Sequence, residues 1–215
     1  MTLTQRHTLE RRGTSEMAVG EYFKDKKSYF DAREQVNVIK IFSGDWYVST
    51  RTDEMIATIL GSCVSACVRD PVARIGGMNH FLLPGEDQAE SQASDSARYG
   101  GFAMESLING VLKAGGQKHR LEFKVFGGGN VINNSARIGS KNARFIREFL
   151  QREGFRITSE DLEGEHPRRL HYYPATGKVM VRLLRRREDL VVVEEETRYT
   201  QQISNAPVEG EIELF

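Results

Sequence analysis

A cysteine and a histidine carry the clearest chemical signal in this sequence. Cys63 follows Gly61-Ser62 at the start of an alternating apolar stretch, and His80 lies in a second apolar stretch. The turn signal Asp70-Pro71 separates the two stretches, which predicts an antiparallel hairpin. A thiol with a proton acceptor in reach becomes a useful nucleophile near neutral pH. The pattern therefore predicts a nucleophilic cysteine, Cys63, with His80 as its base.

The register of this hairpin decides whether the thiol and the imidazole meet. A two-residue turn would pair Asp70 with Ala73 and would place Cys63 directly opposite His80. Directly opposed side chains share a face, with Cβ atoms roughly 4.5 to 5.5 Å apart. A slip by one residue would send His80 to the other face of the sheet. In the predicted register, Cys63 is expected to hold more thiolate at neutral pH than the mid-strand Cys67.

The residues just before Cys63 are candidates for holding an oxyanion. Gly61 and Ser62 introduce a flexible backbone, which permits a substrate to approach closely and leaves N–H groups free to donate. A second glycine run, 127–129, lacks the Lys and Ser/Thr that complete a phosphate-binding loop. It predicts a tight strand exit beside the site.

Other interpretations of the same residues stay open at this point. A buried cysteine is commonly an inert small hydrophobe and a histidine on a strand is commonly structural, which suits Cys67 well. Cys63, Cys67 and His80 could also supply three ligands of an open zinc site. Strand geometry separates the two thiols by roughly 13 Å, which argues against a shared ion. The C-x-x-x-C spacing also differs from the C-x-x-C of redox pairs.

Several further elements are needed to position this hairpin. Strand-like and helix-like periodicities alternate along the chain, which predicts an α+β domain with a mixed β-sheet and flanking helices. The predicted strands precede the hairpin at 36–41 and 46–48 and follow it at 121–126, 170–173 and 179–183, with helices around 104–112 and 145–150.

Composition limits the partners and predicts the domain boundaries. Residues 1–35 and 185–215 are rich in charge, so we expect two mobile tails around one domain at 36–184. Thirty basic residues balance thirty acidic ones, which gives no long-range attraction to nucleic acid. No apolar run is long enough for membrane insertion. Few cysteines and a polar N-terminus without a signal-peptide pattern predict a cytoplasmic protein.

Six short stretches, taken in order, resemble the chemoreceptor glutamine deamidase (CheD) family. The resemblance runs from about Val36 to Leu184. The stretches are Thr58-Ile-Leu-Gly-Ser-Cys63, Arg69-Asp-Pro71, Gly76-Gly-Met-Asn-His-Phe-Leu-Leu-Pro84, Arg98-Tyr-Gly, Phe126-Gly-Gly-Gly-Asn130 and the closing Glu213-Leu-Phe215.

This resemblance implies an enzyme that hydrolyses selected glutamine side chains of bacterial chemoreceptors to glutamate during chemotaxis adaptation. It implies a Cys-His pair at Cys63 and His80, no metal or organic cofactor, and an α+β fold shared with toxin-type cysteine deamidases. Chemoreceptor cytoplasmic domains would be the substrate, and a chemotaxis phosphatase is a candidate partner. A non-catalytic adaptor that binds chemoreceptors or that phosphatase is the alternative.

The sequence departs from the family pattern at one position. The family has a catalytic threonine where this sequence has Ala57, and Thr58 lies one residue later. We expect Thr58 to take the third catalytic role by orienting His80, and the alternative is that another group orients His80.

Overall fold

The computed structural model describes residues 27–83, 91–131, 136–184, 191–192 and 194–199. The described strands form two sheets, and two long helices follow the central hairpin. The strands are β1 (Ser28–Asp31), β2 (Val36–Lys40), β3 (Trp46–Ser49), β4 (Glu54–Leu60), β5 (Val64–Asp70), β6 (Ile75–Asn79), β7 (Glu122–Gly127), β8 (Arg156–Leu162), β9 (Arg168–Tyr173) and β10 (Lys178–Leu183). The helices are α1 (Ser91–Lys113), a 3-10 turn (Lys118–Arg120) and α2 (Ala136–Arg152), and the described residues of 191–199 are also helical.

Both sheets mix parallel and antiparallel pairs. The first sheet has the order β1-β2-β4-β9-β10, with β2 and β4 parallel. The second has the order β3-β6-β5-β7-β8, with β7 and β8 parallel. The predicted α+β class is confirmed, but a single mixed sheet is replaced by two. The chain leaves the first sheet at the end of β4 and enters the second at β5, so consecutive apolar strands do not pair with each other.

An apolar layer lies between the two sheets. Ile56 and Leu60 of β4 pack there against Cys67 and Met78 of the second sheet. Because side chains alternate along a strand, the neighbouring Met55, Ala57 and Ile59 face a separate cluster on the other side of the first sheet. Burial on both faces explains why every residue of β4 is buried.

The two helices cover the opposite face of the second sheet. Val64 and Val68 of β5 point to that side and pack with Leu107 of α1 and Ile146 of α2. The odd-numbered residues of β5 therefore face the layer between the sheets. This parity sends Cys63 and Cys67 into that layer, where both are buried.

The hairpin forms, but its predicted register is wrong. Asp70 pairs with Ile75 rather than with Ala73, so Cys63 does not lie directly opposite His80. The pairing is displaced by two residues, which preserves the face of every side chain. Cys63 and His80 thus become diagonal neighbours on one face, a separation that long or ring-shaped side chains still bridge.

A longer turn causes the displacement. The Asp70 carboxylate accepts the backbone N–H groups of Val72 and Ala73 at 2.9 and 3.0 Å, and Arg74 adopts a left-handed φ of 58°. These contacts fix residues 71–74 as the loop. The longer loop also places Arg69 opposite Gly76, whereas a two-residue turn would have placed it opposite Arg74, a like charge.

Parts of both predicted tails have structure. Residues 28–31 form β1, which pairs with β2, and the described residues of 191–199 are helical. Residues 27 and 32–35 are also described, and the other residues of those segments, including the closing Glu213-Leu-Phe215, lie outside the described residues. Within the described part of the chain, no helix has the length and apolar character needed to cross a membrane.

Candidate active site

The candidate site lies where the chain passes from the first sheet to the second. Cys63 immediately precedes β5 and His80 immediately follows β6, and both side chains are buried. The Cys63 Sγ, a ring nitrogen of His80 and a carboxylate oxygen of Glu196 all lie within 4.8 Å of one another. The diagonal register therefore still brings the thiol and the imidazole together.

Thr58 contacts the imidazole from the first sheet. Its Oγ1 lies 2.7 Å from His80 Nδ1 and donates to the carbonyl of Ile41 at 2.8 Å. A hydroxyl has one proton, so the ring nitrogen must be the donor in the His80–Thr58 bond. This assigns the proton to Nδ1 and leaves the lone pair on Nε2, which has no hydrogen-bond partner among the described residues. The neutral ring is thus in the tautomer that can accept a proton.

Backbone N–H groups before β5 converge on the two carboxylate oxygens of Glu196, beside the thiol. The amides of Gly61, Ser62 and Cys63 donate to the Glu196 carboxylate at 2.9, 2.8 and 3.0 Å. The Ser62 hydroxyl adds a fourth donor at 2.6 Å. This convergence, here called the amide cradle, is the geometry of a site for a negatively charged oxygen.

The predicted glycine exit of β7 holds the cradle in place. Gly129 N–H donates to the carbonyl of Gly61, and Gly128 N–H donates to the carbonyl of Cys63, both at 2.7 Å. The N–H and C=O of a trans peptide point in opposite directions, so anchoring the Gly61 carbonyl turns the Ser62 N–H towards the cradle. Gly128 has a φ of 65°, which a residue with a side chain adopts only with strain.

A buried asparagine on α2 anchors the remaining carbonyl. Asn142 Nδ2 donates to the carbonyl of Ser62 at 2.8 Å, which orients the Cys63 N–H inwards. Its Oδ1 accepts the N–H of Leu83 at 3.0 Å, so one side chain ties the cradle to the segment after His80. Asn142 is fully buried, and both ends of its amide are satisfied.

Electrostatics keep the thiol and the imidazole uncharged in this conformation. Burial raises the pKa of Cys63 well above its ordinary value, and the adjacent Glu196 charge raises it further. Burial lowers the pKa of His80 to about 4, although the charges of Glu196 and Asp45 oppose that shift. In this conformation the Cys63 thiol is therefore protonated at neutral pH, and a larger thiolate fraction on Cys63 than on Cys67 stays a prediction. Cys67 likewise has a pKa raised by burial.

The alternative zinc triad of Cys63, Cys67 and His80, which the strand geometry disfavoured, is not assembled. Cys63 and His80 lie close to Glu196 rather than to Cys67. The Glu196 oxygens are surrounded by N–H and O–H donors, which is the environment of an anion site. Cys67 packs in the layer between the sheets, as expected for a structural thiol.

Three contacts of the site were not foreseen from the sequence. Glu196 lies in a run of glutamates that is typical of a solvated tail, and nothing in its spacing connects it to Cys63. Asn142 lies within an ordinary amphipathic helix pattern. The Ser43 hydroxyl lies 3.6 Å from Cys63 Sγ and belongs to a turn that carried no chemical signal.

Known proteins resemble this chain over most of its length. Residues 82–183 match the family described as CheD chemotactic sensory transduction. A protein of Rhodopseudomonas palustris named probable chemoreceptor glutamine deamidase CheD is 50% identical over 88% of this chain and 89% of its own length. A protein of Hydrogenovibrio crunogenus with the same name is 46% identical over 86% of this chain and 97% of its own.

One solved structure shares only a weak likeness. A Neisseria meningitidis protein of the DUF152 family covers 56% of this chain and 52% of its own, at 10% identity and a TM-score of 0.34. That likeness is too low to inform the fold. The two sequence relatives show the family, because each is at least 46% identical to this chain over more than four-fifths of both lengths. The chain belongs to the CheD family.

Proposed function

We propose that this protein hydrolyses glutamine side-chain amides of bacterial chemoreceptors to glutamate and releases ammonia. The relatives at 50% and 46% identity are named for that activity. One observation carries the proposal: a glutamate carboxylate, the chemical group of the product, sits in the amide cradle next to Cys63 and His80. A glutamine whose carbonyl oxygen took the place of Glu196 Oε1 would accept the amides of Gly61 and Cys63 and would present its carbon to the thiol.

The first half of the reaction forms a thioester. His80 Nε2 takes the thiol proton, and Cys63 Sγ attacks the side-chain carbonyl carbon of the glutamine. The oxygen becomes negatively charged in the tetrahedral intermediate, and the cradle donors stabilise it. His80 then gives the proton to the departing nitrogen, so ammonia leaves as the thioester forms.

The second half consumes one water molecule. His80 accepts a proton from water, which attacks the thioester carbon, and the same cradle holds the new oxyanion. Collapse of this intermediate returns the proton to the Cys63 sulfur and releases glutamate. None of these steps calls on a metal or an organic cofactor.

Thr58 is proposed as the residue that orients the base. Its hydroxyl is itself fixed by the Ile41 carbonyl, so it can hold the Nδ1 side of His80 and leave the Nε2 lone pair to accept the thiol proton. The displacement from the family position to Thr58 is tolerated because Thr58 faces the layer between the sheets, whereas Ala57 faces the opposite side.

The remaining expectations belong to the same proposal. Substrate glutamines would lie on chemoreceptor cytoplasmic domains, which requires the protein to act in the cytoplasm. A chemotaxis phosphatase is a further candidate partner, and a relation to toxin-type cysteine deamidases is proposed for the fold.

Mass spectrometry of a purified chemoreceptor cytoplasmic fragment tests the proposal. Wild type should convert specific glutamines to glutamates, and Cys63→Ala should leave every glutamine unchanged. Cys67→Ala is the matched control, because its thiol packs in the core and should keep most of the activity. An adaptor would bind the fragment without changing its mass. Equal losses in the two cysteine variants would contradict the nucleophile assignment.

A further inference from the structure

The C-terminal segment 191–199, in which residues 191–192 and 194–199 are described and helical, reaches the candidate active site through Glu196. One carboxylate oxygen accepts the amides of Gly61 and Cys63, and the other accepts the amide and hydroxyl of Ser62. Every donor of the cradle is therefore engaged by one side chain of the same chain. A substrate carbonyl cannot use these donors while Glu196 remains there.

The segment is seated at three points along one helix face. Val192, Glu196 and Tyr199 have the spacing i, i+4 and i+7, which aligns side chains on one side of a helix. Val192 is 1% exposed and packs in the cluster on the outer side of the first sheet. The Tyr199 hydroxyl lies 2.5 Å from that of Tyr99, on α1. The segment therefore packs on the rest of the protein through Val192 and Tyr199 as well as through the Glu196 carboxylate.

Two glycines leave the space that the segment fills. A Cβ on Gly61 would lie 2.8 Å from Glu196 Oε2, and a Cβ on Gly44 would collide with the Tyr199 hydroxyl. Gly44 has a φ of 89°, so its turn also requires glycine conformationally. The body of the protein is thus shaped to accept both the carboxylate and the aromatic ring.

We propose that residues 191–199 are a built-in mimic of the reaction product, which occupies the substrate site and competes with the substrate glutamine. This inference rests on the proposed function, since Glu196 mimics the product only if glutamine is the substrate. Competition affects only the fraction of molecules that can bind, so it raises the apparent KM and leaves kcat unchanged at saturation.

Removal of the carboxylate tests the competition. Glu196→Ala should lower the KM for the chemoreceptor fragment about tenfold and leave kcat unchanged. A tenfold change is expected if Glu196 occupies the site in about nine-tenths of the wild-type molecules. Glu195→Ala is the matched control, because Glu195 contacts Arg198 and not the cradle. Equal KM values for Glu196→Ala and the wild type would overturn the proposal.

Replacement of the product group by the substrate group tests the mimicry. In Glu196→Gln, the introduced amide should occupy the cradle and be hydrolysed by Cys63, with one water consumed and one ammonia released. Peptide masses should show glutamate at position 196 in Glu196→Gln and retained glutamine in Glu196→Gln/Cys63→Ala. An introduced amide that persists while the same protein deamidates the receptor fragment would contradict the product-mimic assignment.

An activity-independent readout separates this inference from the proposed function. If no form of the protein deamidates the fragment, the proposed function fails, and iodoacetamide labelling of Cys63 decides the occupancy. Glu196→Ala should then label about tenfold faster than Glu195→Ala, because the segment no longer covers the thiol. Equal labelling rates would mean that residues 191–199 do not restrict access.

Discussion

At the residue scale, the hydroxyl of Thr58 fixes the tautomer of His80 in the candidate site. Thr58 is buried, and its proton is committed to the Ile41 carbonyl, so its oxygen can only accept from His80. The ring is consequently held with Nε2 unprotonated. Burial alone would keep His80 neutral, but it would not select the tautomer.

Thr58→Val should separate orientation from packing. The substitution preserves the branched shape and removes the hydroxyl. We expect kcat to fall about tenfold to a hundredfold, because a base that is no longer oriented loses part of its contribution to the rate. Thr58→Ser is the matched control and should keep most of the activity, because it retains the oxygen. Steady-state deamidation rates and the urea midpoint of each variant provide the measurement. A Thr58→Val enzyme with wild-type kcat would remove Thr58 from the mechanism.

Single residues also show the limit of prediction from the sequence. Cys63 and His80 could be singled out because reactive residue types at the ends of paired strands are rare. Glu196 could not, because its role depends on a contact between distant parts of the chain. A charged run carries no local signal of the surface on which it packs.

At the element scale, the cradle depends on supports from outside its own loop. The glycine exit of β7 and Asn142 of α2 hold the carbonyls, and the hairpin supplies His80, the proposed base. The presence of the hairpin was predictable, whereas its register was not. The register follows from the loop of residues 71–74, which Asp70 stabilises with help from Arg120, whose guanidinium lies 2.6 Å from the carboxylate. That ion pair spans a large separation in sequence, so turn preferences alone predicted a shorter loop.

Asn142→Ala should weaken both the fold and the catalyst. It leaves the Ser62 carbonyl and the Leu83 N–H without their partner, at a cost of about 2 to 4 kcal/mol in the free energy of unfolding. Turnover should fall by at least about tenfold, since the Cys63 N–H is no longer held towards the oxyanion. Glu148→Ala, at an exposed position of α2, should change neither urea stability nor kcat. Wild-type turnover in Asn142→Ala would show that the cradle does not need this support.

At the scale of the whole molecule, the site forms at the junction of two sheets. Patterns along the chain predicted an α+β domain, because periodicity reports local structure. They did not predict two sheets. The strands β4 and β5 are adjacent in the sequence and both apolar, and their patterns do not show that they belong to different sheets. The return of residues 191–199 to the same junction likewise depends on tertiary packing.

Cys63 and His80 are proposed to form a nucleophile–base pair, and alkylation of the thiol across pH tests this pair most directly. The measurement is a time course of peptide masses with iodoacetamide between about pH 6 and about pH 9, around the ordinary range of a thiol pKa. Glu196→Ala and Glu196→Ala/His80→Ala are compared, so that the segment does not mask the thiol. Cys67 serves as the internal reference in both proteins.

Cys63 in Glu196→Ala should label at least about tenfold faster than Cys67, because only Cys63 has an adjacent proton acceptor. The Glu196 charge raises the pKa of Cys63, so its removal should move the labelling midpoint to lower pH than in the wild type. Loss of His80 should slow the labelling and move that midpoint upward again. Equal labelling of the two cysteines, or labelling of Cys63 that does not depend on His80, would contradict the pair.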